Sequence, residues 1–113
     1  MTKTLSDLTQ DKELARYAEI ALRKIWENNN EPPHYYRPHP FQIKEYVAEE
    51  LQSDGSLSAL NAERKKFDEL GVLDFLKQHG LVEVLCRSSG EAYSVPLWVQ
   101  RDYPDIFKAD KKA

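Results

Sequence analysis

Residues 70–98, LGVLDFLKQHGLVEVLCRSSGEAYSVPLW, carry the pattern that most restricts how this chain can fold. Leu70, Leu73 and Leu76 recur at helical spacing, and Gly80 ends that period. The apolar run at residues 81–86 reads as a strand. Residues 87–91, Arg-Ser-Ser-Gly-Glu, form a hairpin loop in which Gly90 can take positive φ, and residues 92–98 return as a second strand. Pro96 cannot donate to a ladder, so this strand must lie at an edge or stop there. The stretch therefore reads as a last helix followed by an antiparallel hairpin.

Upstream the pattern is helical. Leu14, Tyr17, Ala18, Ala21, Leu22, Ile25 and Trp26 make one apolar stripe at spacings of three and four, starting near Asp11 and ending at Asn28-Asn29-Asn30. Residues 31–40 follow, with prolines at 32, 33, 38 and 40 that forbid both a helix and a central strand. Two tyrosines make this an ordered connection rather than an idle linker. Pro40 suits the first turn of a second helix whose inner face is Ile43, Tyr46, Val47 and Leu51, with Phe41 beside them. Ser53-Asp54-Gly55-Ser56 is a turn by composition. From Ser58, a natural cap, a further helix supplies Leu60, Phe67 and Leu70. Gly71 divides it from a short helix over residues 72–78. Residues 1–10 read as a frayed leader from which Leu5 and Leu8 can dock. Residues 11–107 form one domain with a short turn near residues 103–107, and residues 108–113 form a disordered tail.

A chain of 113 residues is one domain's worth, and folding buries roughly 65% of the surface that such a chain exposes. No apolar run is long enough to span a bilayer, and no signal-peptide core is present, which together predict a cytoplasmic protein. The lone Cys86 reads as a small core residue on its strand. Net charge is −3, and residues 57–80 carry four Lys and Arg against four Asp and Glu. A DNA-binding surface would therefore have to be assembled by folding.

Leu73-Asp74-Phe75-Leu76-Lys77-Gln78-His79-Gly80-Leu81-Val82-Glu83 resembles the LxxLxxxGLVE junction of winged-helix regulators, where a last helix ends on glycine and the next residues open the wing. The resemblance implies an α+β, winged-helix-like fold of three to four helices followed by a two-stranded β-hairpin wing. It also implies a small regulator that binds duplex DNA as a homodimer. Chains of that kind often present serine, threonine and arginine on the reading helix. Here the corresponding helix mixes signs, with Glu63, Asp68 and Glu69 among its bases.

Two functional readings follow. For DNA, Asn61 and Arg64 suit base edges, Lys65, Lys66 and Lys44 suit phosphates, and Arg87 is the one base at the wing tip. For a protein-interaction module (an adaptor, assembly subunit or small inhibitor), the anchors are Trp26 and Tyr17 on the first helix, Tyr35 and Tyr36 in the proline-rich connection, and the edge strand at residues 95–98. Tyr17 and Trp26 would serve only if one side of their stripe stays exposed. His34, His39, His79 and Cys86 have no ligand spacing, so no metal is expected. The four glycines are scattered singly, and neither a Gly-x-Ser-x-Gly elbow nor an HExxH helix occurs, so neither an enzyme nor a cofactor is expected.

Overall fold

In a computed structural model the described residues are 3–30, 36–88 and 90–107. Helix α1 (Lys12–Asn30) begins where the Asp11 carboxylate accepts from the main-chain N–H groups of Glu13 at 3.0 Å and Leu14 at 3.1 Å. It ends where Asn28 and Asn30 turn their amides back onto the carbonyls of Lys24 and Trp26, at 2.9 and 2.8 Å. Side-chain amides that bond back onto the preceding turn compete with continuation of the helix. The Asn28 C=O, one of the last four without an intrahelical donor, accepts from Tyr36 N–H at 3.0 Å. Helix α2 (Pro40–Leu51) has Pro40 in its first turn, and Gln42 Oε1 accepts from His39 N–H at 2.9 Å.

Helix α3 (Leu57–Leu70) is capped by Ser56, not by Ser58: Ser56 Oγ accepts from Ala59 N–H at 3.0 Å. Asp54 holds Ser56 in place by accepting from its N–H at 3.0 Å, so the turn itself supplies the cap two residues early. Gly71, at φ +66°, then breaks the path and starts helix α4 (Val72–Gln78). Gly80, at φ +68°, closes α4 with Leu81 N–H returning to Leu76 C=O at 2.9 Å, a Schellman-type stop.

Strands β1 (Glu83–Arg87) and β2 (Gly90–Ser94) pair antiparallel, with Val84 opposite Tyr93, Leu85 opposite Ala92 and Arg87 opposite Gly90. The second strand is shorter than the 92–98 expected from the sequence. Asn29 Oδ1 takes the Val95 N–H at 3.1 Å, and Pro96 then opens helix α5 (Leu97–Asp102), accepting from Val99 N–H at 3.1 Å. A short 3-10 turn, Pro104–Phe107, buries Ile106 and Phe107.

The core gathers Ala18, Leu22 and Ile25 of α1, Ile43 and Val47 of α2, Phe67 of α3, and Val72 and Leu76 of α4, with Tyr93 anchoring the hairpin. Leu5, in the segment expected as a leader, is fully buried. Two other sequence expectations fail. Phe41 is 67% exposed, because Ile43 and Val47 already fill the inward face of α2. Cys86 is exposed, because β1 lies on the outside of the hairpin, where Tyr93 of β2 occupies the core. No helix among the described residues is long and apolar enough to cross a membrane. The architecture is α+β, helices followed by a two-stranded antiparallel hairpin, and is compatible with a winged-helix fold.

Candidate binding surfaces

The residues expected to meet DNA lie mostly on α2, with Lys44, and on α3, with Asn61, Arg64, Lys65 and Lys66, where Arg64 turns toward α2 and Lys66 toward α1. Their cations are answered from within. Arg64 forks onto Glu45 of α2, with Nε to Oε2 and Nη2 to Oε1 both at 2.7 Å, and its Nη1 donates to Asn61 Oδ1 at 2.6 Å. A planar guanidinium fits a carboxylate in this bidentate way, giving the most specific of ion-pair geometries. The fork holds the Glu45 carboxyl below the usual carboxylate range and raises Arg64. Lys66 reaches Glu13 of α1 at 2.9 Å and is raised by that contact. Lys44 reaches Asp68 of α3 at 3.2 Å. Lys65 is exposed, and among the described residues it has no acidic partner.

This cross-bracing has an equivalent between α1 and α2. Burial works against ionisation of Glu50, but Lys24 at 3.0 Å and Arg23 hold its carboxyl below the usual range. Glu19 has the opposite balance: burial pushes it up, and Arg23 only partly offsets this. Helix α3 itself carries three bases and three acids. A face of that kind presents little net field to a phosphate backbone.

The expected partner anchors are mostly engaged inside the protein. Tyr17 is buried, and its hydroxyl donates to Glu63 of α3; burial and that carboxylate push the phenol well above its usual range. The exposed side that Tyr17 would need as an anchor is therefore missing. Trp26 is half-buried, donates Nε1–H to Gln100 Oε1 at 3.1 Å and packs on Phe107 with ring centroids 5.6 Å apart. Tyr36 is half-buried with its hydroxyl against that of Tyr46, and burial with that contact pushes Tyr46 up to about 12. Tyr35 lies outside the described residues, as does His34. His39 Nδ1 contacts Glu91 C=O at 2.6 Å, and His79 packs on Phe75 with centroids 4.7 Å apart.

Some large apolar side chains do face solvent. Leu97 is 77% exposed and Trp98 37%, beside an open hollow of about 650 Å³ whose walls include Asn29, Arg37, Val95 and Gln100. They belong to α5, so the expected edge strand at 95–98 is replaced by a helical turn bearing the same residues. On the wing, Leu85 is 43% exposed, and Arg87 is exposed at the tip. Glu45 and Asn29 escaped the sequence reading. Nothing local in the sequence ties Glu45 to Arg64, 19 positions on. The one signal for Asn29 was its place in the asparagine run that ends α1.

No family model, no curated protein and no solved structure matches this chain.

Proposed function

We propose that this protein is a winged-helix-like protein-interaction module, the second of the two readings open to the sequence. One contrast supports it. Lys44, Arg64 and Lys66 of the α2–α3 face are held by acids of the same molecule, leaving Lys65, whereas apolar side chains face solvent at Leu85, Leu97 and Trp98. Phosphate contacts supply most non-specific DNA affinity and need a surplus of positive charge. A face with Arg64, Lys65 and Lys66 set against Glu63, Asp68 and Glu69 offers no surplus. Protein interfaces are instead built on exposed aromatic and aliphatic groups with a polar rim.

The test is fluorescence anisotropy of the protein against a labelled random duplex of about 30 base pairs at low and moderate salt. The expected result is no binding at tens of micromolar protein in low salt. Binding that weakens steeply as salt rises would overturn the reading and restore the DNA regulator, with Arg64 and Lys65 as the first residues to replace.

A further inference from the structure

The two outer edges of the hairpin are treated differently. The edge of β2 is covered. Tyr93 N–H donates to Pro38 C=O at 3.0 Å, Glu91 C=O meets His39 Nδ1 at 2.6 Å, and Asn29 Nδ2 reaches Tyr93 C=O at 3.4 Å. The main-chain groups of Glu91 and Tyr93 therefore point away from β1. Antiparallel pairing alternates the direction of these groups along both strands together. The residues opposite, Cys86 and Val84, must then point their own N–H and C=O groups away from β2, out of the free edge of β1. Among the described residues nothing pairs with them.

Natural edge strands are usually guarded by a central charge, a proline or a bulge. Here β1 reads Glu83-Val84-Leu85-Cys86-Arg87, with charge only at its two ends and an apolar middle. An open hollow of about 280 Å³ lies against the start of the strand, lined by Arg37, Glu83, Val84, Leu85 and Ser94. Neither Glu83 nor Arg87 has an ion-pair partner among the described residues.

The strand is also complementary to itself. Turned antiparallel about Leu85, it sets Leu85 against Leu85 of a second copy, Val84 against Cys86, and Glu83 against Arg87. Val84 and Cys86 are the residues whose peptide groups face outward, so this register makes on the order of four new main-chain hydrogen bonds. Glu83, Leu85 and Arg87 share one face of the pleat. The Leu85 pair is then flanked on that face by two opposite-charge pairs related by the two-fold axis.

We propose that the β1 edge is a homotypic docking surface, through which two copies of this chain join their hairpins into one four-stranded antiparallel sheet with Leu85 on the two-fold axis. The proposal deepens the protein-interaction reading by naming a second copy as a partner. The two fail separately: duplex binding would sink that reading whatever the oligomeric state, and a persistent monomer would sink this proposal alone.

Sedimentation equilibrium of the full chain, from low to several hundred micromolar, should show a reversible monomer–dimer equilibrium, since so small an interface gives a weak dimer. Glu83→Arg or Arg87→Glu alone places like charges opposite one another at both symmetric positions and should weaken the dimer about tenfold. The double exchange, Glu83→Arg with Arg87→Glu, should restore it. Rescue by the double variant excludes a mere folding defect, because both singles alter exposed residues. In a Cys86→Ser background, Leu85→Cys should give a disulfide-linked dimer under mild oxidation, because residue 85 faces itself across the axis. The wild-type protein should give none, because its Cys86 faces Val84. A monomer at the highest concentration, a dimer indifferent to the charge exchanges, or ready Cys86–Cys86 cross-linking would each overturn the proposal.

Discussion

The α2–α3 face and the β1 edge are both solvent-facing and both carry charge, yet they end in opposite states. On α2–α3, each cation but Lys65 finds an acid on a neighbouring helix. On β1, Glu83, Arg87 and the outward peptide groups of Val84 and Cys86 find nothing among the described residues. Part of the difference is geometric. Long side chains on packed helices can reach across to one another, whereas an exposed strand edge presents a row of peptide groups that a further strand is well shaped to pair. A surface that satisfies itself has little to offer a partner; one that cannot has its partner's shape written into it.

The largest effect on this contrast should come from Tyr93→Ala. It removes the aromatic ring that fixes the hairpin to the body, and with it the floor on which both edges stand. Burial of a ring of that size predicts a loss of about 3–5 kcal/mol in chemical denaturation. Asn29→Ala comes next, because this one amide serves Tyr36 C=O at 3.1 Å, Tyr93 C=O and Val95 N–H. Leaving those groups unpaired should cost about 1–3 kcal/mol and speed hydrogen exchange at Val95, loosening the guarded edge that Pro38 and His39 would still cover.

Alkaline titration probes the tyrosines that link the helices. Tyr46 is pushed up to about 12, above the roughly 10 of an unfolded phenol. The folded state then holds its proton where the unfolded state has lost it. The stabilisation is therefore complete below about pH 10 and is lost between about pH 10 and 12, so the melting temperature should fall across that window. Tyr46→Phe should flatten part of the fall.

Glu45→Gln tests the self-satisfied face. Because the pair with Arg64 is partly exposed, its loss should cost no more than about 1 kcal/mol. The sign with pH is fixed by the depressed carboxyl: the contribution is full above its unfolded value and disappears as pH falls through the folded one. In the variant that acid-side dependence should shrink. The smallest effect belongs to Leu85→Thr, within about 0.5 kcal/mol for the monomer, since the side chain is exposed and packs on little. A large loss there would mean that the β1 edge is part of the core, and the contrast would fail.

Much of the fold was legible because its signals are local. The α1 stripe, the stop at Gly80, the split at Gly71 and the short helix at 72–78 all follow from periodicity and from glycine's access to positive φ. Errors fell where two local signals competed. Residues 95–98 look like strand by composition, but Asn29, distant in sequence, takes the Val95 N–H and leaves Pro96 to open a helical turn. Cys86 looked internal because a hairpin pattern does not say which strand faces the core. Phe41 looked internal because the α2 period allows it, although Ile43 and Val47 suffice.

By itself, then, the sequence determined the order of elements from α1 to β1, the neutral charge balance of α3 and the self-complementary run from Glu83 to Arg87, since all three are properties of neighbours along the chain. Only the tertiary structure decided that Arg64 is bound to Glu45, that Tyr17 is turned inward, and that one edge of the wing is covered while the other is open. Those outcomes depend on which distant groups the packing of α1, α2 and the hairpin brings within a few ångströms, and no spacing along the chain records that.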